Sequence, residues 1–189
     1  SLTSAARGTL CGIVRATDFM TSVPSTYEIL ALKALNHDID KTWTDWAIEM
    51  LRQGHDTESL TILAGESSPY NQFELQQLTN KVLTELKLDY SDKDLVIKSY
   101  VSYLLDRVLK NELDSLPVLE ILKDICIELN MEKYLYQFYL LYFAKDDLLD
   151  SDVQWYIDGA NKNNIDKIIT DYFKKWLADN PPKIKTTTA

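Results

Sequence analysis

The two histidines are the first candidates for chemistry, because imidazole serves both as a metal ligand and as a general base. His37 and His55 each precede an aspartate. A zinc site needs three or four ligands that converge at fixed spacing, and neither histidine has a second one a helical turn away. Both also fall at predicted helix ends, where exposed histidine is common. We therefore expect no metal ligand at either position.

Four aspartates form the densest acidic run of the chain: Asp146, Asp147, Asp150 and Asp152. A calcium-binding loop of the EF-hand type that started at Asp150 would need glycine at its sixth position and glutamate at its twelfth. This chain has Trp155 and Asn161 at those positions. The run is therefore interpreted as a solvated loop or as a contact for a basic partner, and not as a metal site.

Motifs for covalent catalysis and for cofactor binding are absent from the sequence. It contains no Gly-x-Ser-x-Gly, no phosphate-binding loop and no dinucleotide-binding fingerprint. Cys126 lies on an apolar helical stripe, where a thiol is usually inert. With Cys11 as the second cysteine, we predict two free thiols in a reducing cytoplasm. No catalytic residue and no cofactor is expected, and an enzyme without a known motif stays an alternative.

The most distinctive feature is a group of aromatic residues within ten positions: Tyr134, Tyr136, Phe138, Tyr139, Tyr142 and Phe143. The segment 133–145 around them is apolar all round, which predicts the most buried helix. On one helix these rings cannot all point in the same direction, so some are expected in the core. Others are expected to line a contact surface, because tyrosine is enriched in protein interfaces. Tyr136 and Tyr139 are the first candidates for that role.

The charge balance limits the classes of partner. The chain of 189 residues has 20 Lys and Arg against 29 Asp and Glu, a formal net charge of -9. Binding to nucleic acid or to an anionic membrane surface depends on clustered basic residues, so neither is an expected partner. The longest mainly apolar stretch, Leu135 to Ala144, covers about half of a membrane-spanning helix. A basic protein is the favoured partner, and the sequence does not indicate an oligomeric state.

Apolar residues recur at helical spacing almost everywhere after residue 26. The pattern predicts an all-α protein of eight or nine helices, either an irregular helical bundle or a short α-solenoid of HEAT-like helical hairpins. Trp43 and Trp46 share one apolar stripe and are expected in the core. Thr42 is expected to cap the start of their helix, Gly54 to follow its end, and Asp56 to cap the next one.

Composition divides the chain into three predicted parts. Residues 1–25 hold many serines and threonines without a sustained period, which indicates a leader or a poorly ordered segment. Residues 26–180 are predicted to form a single all-α domain, and residues 181–189 a frayed tail. Within the domain, a shift of 43 residues aligns the apolar positions of 75–89 with those of 118–132. Either a duplicated hairpin or the chance phasing of two amphipathic helices explains this similarity.

One segment resembles other proteins: Trp46-Ala47-x3-Leu51-x2-Gly54-x-Asp56-Thr57-x2-Leu60-x-Ile62-Leu63-Ala64-Gly65. It looks like a segment of small bacterial all-helical proteins without an assigned activity, some of which resemble products of toxin–immunity loci. The resemblance implies a helical scaffold, and it transfers no functional residue to this chain.

The function predicted from these observations is binding to another, basic protein, with an acidic immunity-type inhibitor of a toxin as the leading form. The predicted contact residues are the two tyrosines and the four aspartates: Tyr136, Tyr139, Asp146, Asp147, Asp150 and Asp152. A generic helical scaffold or regulatory subunit is the first alternative. An unrecognised enzyme or small-ligand-binding protein is the second, and convergent carboxylates or His55 in a deep pocket would favour it.

Overall fold

The structure, a computed structural model, describes residues 23–186 as eight α-helices and two strands of two residues each. The helices are α1 Thr26–Ala34, α2 Lys41–Arg52, α3 Glu58–Gly65, α4 Gln72–Glu85, α5 Lys93–Leu109, α6 Ser115–Glu128, α7 Tyr136–Asp150 and α8 Ile165–Asp179. The strands are β1 Leu88–Asp89 and β2 Lys185–Thr186. The prediction of an all-α protein is confirmed. Strands of two residues are too short to show the alternation by which a sequence predicts them.

The described residues fall into two compact units. Unit 1 consists of residues 23–26, Ile39–Asp89 and Thr186, and it contains α2, α3 and α4. Unit 2 consists of Tyr27–Asp38 and Tyr90–Lys185, and it contains α5 to α8 together with α1 after its first residue. The single domain predicted over residues 26–180 thus includes parts of both units.

In unit 1, α3 packs against both α2 and α4. The largest buried side chains are Trp43 and Trp46, whose rings meet edge to face with centroids 6.1 Å apart. The indole N–H of Trp46 donates a hydrogen bond of 3.0 Å to the hydroxyl of Thr26. The core positions predicted for both tryptophans are confirmed.

The helix starts in unit 1 correct two of the predicted caps. Asp40 caps α2, because its carboxylate accepts from the backbone N–H of Thr42 at 2.9 Å, so Thr42 lies inside the helix. Thr57 caps α3 in place of Asp56, and its hydroxyl accepts from the N–H of Leu60 at 3.3 Å. Aspartate and threonine both cap well, so a sequence with several of them in a row does not show which one the helix uses.

In unit 2, α6 packs against α5 and α7, and α8 also packs against α5 and α7. Phe138 of α7 is fully buried in the centre of this arrangement. Three aromatic rings of α8 surround it at centroid distances of 5.1, 6.1 and 5.0 Å: Tyr172, Phe173 and Trp176. This aromatic core determines which side of α7 faces inward.

The helix predicted over residues 133–145 is wrong in two respects. It begins at Tyr136 and continues to Asp150, and it is not buried all round. Its buried side chains lie on one side: Phe138, Leu141, Ala144 and Leu148. Tyrosine tolerates an exposed position because its hydroxyl group stays hydrated, so a run of aromatic residues need not be a run of core residues.

The predicted leader and tail can be compared with the ends of the described part of the chain. The predicted leader, residues 1–25, lies almost entirely outside the described residues, and Cys11 lies there with it. Part of the predicted tail is described. The backbone N–H of Lys183 donates to the hydroxyl of Ser99 at 3.1 Å, and the ammonium group of Lys185 lies 2.8 Å from the carboxylate of Asp92. These contacts attach residues 183–185 to α5 and to the residue that caps it.

Candidate functional site on helix α7

The side of α7 that faces away from the core carries five of the six residues predicted for partner contact. These are Tyr136, Tyr139, Asp146, Asp147 and Asp150. Because a helix turns by about 100° per residue, the five positions fall within about one third of its circumference. The buried side chains occupy the opposite side, and Asp152 follows two residues after the helix ends. The structure therefore brings the predicted tyrosines and aspartates onto one continuous face, here called the α7 surface.

Four aromatic rings form a chain of contacts along the α7 surface. Tyr136 stacks on Tyr139, with ring centroids 5.7 Å apart and planes at 11°. Tyr139 meets Phe143 edge-on at 4.9 Å, and Phe143 stacks on Tyr156 at 5.3 Å. These four residues are called the aromatic ladder. Its two end residues, Tyr136 and Tyr156, are exposed and the two central ones are half-buried, so both ends are accessible to a partner.

Two members of the aromatic ladder were not predicted as contact residues. Phe143 belongs to the aromatic group found in the sequence, and its spacing of seven residues from Tyr136 places it on the same helix face. That spacing is a signal that could have identified it. Tyr156 lies in the segment between α7 and α8, where no periodicity exists. Only the path of the chain after α7 brings its ring onto Phe143.

The C-terminal half of the α7 surface is acidic. Its four aspartates are called the acidic end: Asp146, Asp147, Asp150 and Asp152. Within residues 23–186 the acidic end makes one ion pair, between Asp152 and Lys162 at 3.0 Å. Lys145 is the lysine nearest in sequence, and it extends instead to Asp166 at 2.8 Å. Among the described residues, the other three aspartates take part in no ion pair.

At the border of the α7 surface, the ammonium group of a lysine lies against a tyrosine ring. Lys123 of α6 places its ammonium group 4.6 Å from the ring centroid of Tyr142. Desolvation raises the pKa of Tyr142, and the carboxylate of Asp146 raises it further, because both disfavour the phenolate form. Tyr142 therefore stays a neutral phenol, which attracts cations to its electron-rich face.

The two histidines first considered for chemistry belong to different units. His37 belongs to unit 2, where its Nε2 atom lies 2.9 Å from the carboxylate of Glu128, and His55 belongs to unit 1. Among the described residues, no group of three His, Cys, Asp or Glu side chains is placed to hold a metal ion. Cys126 is buried and has no disulfide, and burial raises the pKa of its thiol. The thiolate that nucleophilic chemistry requires is therefore disfavoured.

The apolar stretches of the chain do not form a membrane span in the described part of the structure. No helix there is both long enough and apolar enough to cross a bilayer. The run Leu135 to Ala144 belongs largely to α7, which has 15 residues and places aspartates in its second half.

Fold and surface together define the class: an all-α protein with an aromatic and acidic helix face exposed to solvent. A comparison with known protein families finds none that matches the chain. Searches among curated proteins and among solved structures likewise find no match. The function is therefore argued from the α7 surface itself.

Proposed function

We propose that the protein binds a basic protein partner through the α7 surface and acts as an immunity-type inhibitor of a toxin in the bacterial cytoplasm. The observation that supports this proposal is the presence of the aromatic ladder and the acidic end on one exposed helix face. The two parts of the surface have different physical roles.

The aromatic ladder supplies short-range attraction. Tyrosine offers a large, rigid contact area at a low cost in conformational entropy, and its hydroxyl forms hydrogen bonds at the edge of an interface. Tyr136 and Tyr139 already stack on each other in the unbound protein. Their rings therefore lose little freedom when a partner covers them, which reduces the cost of binding.

The acidic end supplies long-range attraction. Exposed charge acts over about one Debye length, roughly 10 Å at 0.1 M salt. Complementary charges mainly raise the rate of association and select against wrong partners. The net charge of -9 acts in the same direction for the whole chain.

The inhibitor role rests on complementarity and on the resemblance of residues 46–65 to small bacterial helical proteins. A toxin that acts on nucleic acid needs a basic substrate-binding site, because much of its affinity comes from phosphate contacts. An acidic and aromatic surface is complementary to such a site and competes with its substrate. Binding would then block the activity directly.

Charge reversal at the acidic end tests the proposal. We expect the triple variant Asp146→Lys, Asp147→Lys, Asp150→Lys to slow association with the partner about tenfold or more at low salt. The effect should shrink at high salt because screening weakens the attraction. The partner is captured from a lysate of the source cell with the wild-type protein, identified by mass spectrometry and purified. Association rates are then measured by stopped flow.

The matched control reverses three exposed carboxylates that do not belong to the α7 surface and changes the net charge equally: Asp38→Lys, Asp56→Lys and Glu66→Lys. Its association rate should stay closer to that of the wild type. Equal slowing in both variants would mean that net charge alone matters, and an unchanged rate in the first would reject the acidic end as a contact. Loss of the partner's activity on binding distinguishes an inhibitor from a scaffold.

A further inference from the structure

Trp155 is the most exposed of the large hydrophobic side chains in the described residues, with 88% of its surface accessible. It lies in the segment 151–164 between α7 and α8. The other three tryptophans of the chain, Trp43, Trp46 and Trp176, are at most 7% exposed. Tryptophan gains much from burial, so an indole left in water marks a candidate contact.

Further apolar side chains are exposed close to Trp155 along the chain. Leu149 and Val153 are more than half exposed, and Tyr156 is also exposed. Tyr156 is at the same time the last ring of the aromatic ladder, through its stacking on Phe143. Through Tyr156, the segment with these exposed apolar residues therefore adjoins the α7 surface, and exposed apolar surface that extends over several residues is typical of interaction sites.

The side chain of Gln154 makes four hydrogen bonds to the backbone around Trp155. Its Nε2 group donates to the carbonyls of Ile157 at 2.6 Å and Ala160 at 3.1 Å. Its Oε1 atom accepts from the backbone N–H groups of Tyr156 and Ile157, both at 2.8 Å. The segment is thus ordered by hydrogen bonds that do not involve the indole. Trp155 is held in an exposed position on a fixed backbone, which lowers the entropy cost of binding.

The charged residues near Trp155 indicate which chemical groups of a partner can bind there. Residues 149–160 contain three aspartates and no lysine or arginine. Asp152 and Asp158 lie three residues before and after Trp155, and both are exposed. Asp152 pairs with Lys162 at 3.0 Å, so Asp158 is the flanking carboxylate outside that ion pair. Phosphate groups of nucleic acids and of anionic lipids are repelled by such a surface. Arginine suits it, because a guanidinium group stacks on an indole and also pairs with carboxylates.

We infer that Trp155 anchors a segment of the partner protein in which arginine alternates with apolar side chains. Arginine stacks on the indole and pairs with Asp158, while the apolar side chains cover Val153 and Tyr156. This inference rests on the proposed function, for which it names the anchor residue and the chemistry that the protein recognises.

Selection from a phage-displayed library of random peptides tests the inference without knowledge of the partner. The library is selected on the wild-type protein without counter-selection, and each enriched peptide is then tested on Trp155→Ala. We expect the enriched peptides to be rich in arginine and apolar residues. A synthetic peptide of this set should shift the emission of Trp155, the one strongly exposed tryptophan, and bind Trp155→Ala about thirtyfold more weakly.

Three variants serve as controls. Phe73→Ala removes another exposed aromatic ring, on unit 1, and should leave peptide binding unchanged. Trp155→Phe keeps an aromatic face and should lose less affinity than Trp155→Ala. Gln154→Ala keeps the indole but removes the hydrogen bonds that position it. We expect its loss of affinity to be larger than that of Trp155→Phe and smaller than that of Trp155→Ala. Because Trp155 is exposed, Trp155→Ala should unfold at the same temperature as the wild type.

Three outcomes would overturn the inference. They are a selection without enrichment, enriched peptides that lack arginine, and peptides that bind Trp155→Ala as tightly as the wild type. Vesicles of phosphatidylserine provide a further arm, since a shift of Trp155 emission on vesicles but not on peptide would indicate a membrane contact instead.

The same peptides separate this inference from the proposed function. Peptide binding that needs Trp155 but tolerates reversal of Asp146, Asp147 and Asp150 would reject the acidic end while keeping the anchor. Binding that is lost on reversal but tolerates Trp155→Ala would reject the anchor while keeping the acidic end.

Discussion

A single hydroxyl group in unit 2 illustrates how individual polar residues support the fold. Ser102 of α5 is fully buried and accepts a hydrogen bond of 2.9 Å from the indole N–H of Trp176. It also donates to the backbone carbonyl of Asn180 at 2.6 Å. Two polar groups near the end of α8 thus depend on one side chain of α5. An unsatisfied buried donor is more costly than the net gain from a typical hydrogen bond.

Ser102→Ala tests this role. We expect the free energy of unfolding to fall by about 1–3 kcal/mol, because the indole N–H of Trp176 loses its acceptor in a buried place. Urea unfolding followed by circular dichroism measures the change. Ser67→Ala, at an exposed position of unit 1, is the control and should stay within about 0.5 kcal/mol of the wild type. A Ser102→Ala effect as small as that of the control would show that the indole finds another acceptor.

At the scale of helices, four of the eight end in the same way. The residue after the C-cap has a positive φ, and the next N–H bonds back to a carbonyl of the last turn, in the Schellman motif. These residues are Asn36 after α1, Gly54 after α2, Asn111 after α5 and Asn130 after α6. Glycine and asparagine tolerate this conformation best. Lys87, which follows α4 with a φ of 57°, is less suited to it.

Lys87→Gly and Gly54→Ala form a matched pair for this conformation. We expect Lys87→Gly to stabilise the protein by up to about 1 kcal/mol, because glycine relieves the strain of a positive φ. Gly54→Ala should destabilise it by about 1 kcal/mol. Nothing lies within 4 Å of a Cβ atom added at Gly54, so its effect reports the backbone alone. Thermal unfolding measures both, and shifts of the same sign in the two variants would contradict this explanation.

At the scale of the whole molecule, carboxylates of both units limit stability in acid. Hydrogen bonds from the hydroxyls of Thr57 and Ser59 lower the pKa of Glu85 in unit 1. In unit 2 the ammonium group of Lys185 lowers the pKa of Asp92. A carboxylate with a lowered folded-state pKa stabilises the fold above its unfolded pKa of about 4, and this contribution is lost as pH falls through the folded value.

Buried tyrosines limit stability in base. Burial raises the pKa of Tyr100 and of Tyr134 above the usual value. Their contribution is complete below the unfolded pKa of about 10 and is lost as pH rises toward the folded value, because only the unfolded chain ionises readily. The urea midpoint should therefore be level between about pH 5 and 9 and fall on both sides. Glu85→Gln should flatten the acid side, and an unchanged acid side would assign the loss to other carboxylates.

The location of a helix and its buried side could be predicted from the sequence more accurately than the residue at which the helix begins. The stripe with Trp43 and Trp46 predicted a helix and its buried side, because apolar spacing within a helix is a local property. Its cap was placed at Thr42 instead of Asp40, since neighbouring residues of equal capping ability cannot be ranked from sequence. For α7 the composition predicted burial all round, and the neighbouring helices left one side exposed.

The sequence by itself determined the all-α class, the tryptophan core of unit 1 and the acidic charge of the chain. Spacing and charge are local quantities that hold whatever the chain packs against. Only the tertiary structure decided that the α7 face with the tyrosines and aspartates is left exposed, that Tyr156 stacks on Phe143, and that Trp155 stays in water. Those features depend on which elements cover α7 and on the path of the segment that follows it. Contacts between residues far apart in sequence set both, and no local pattern records them.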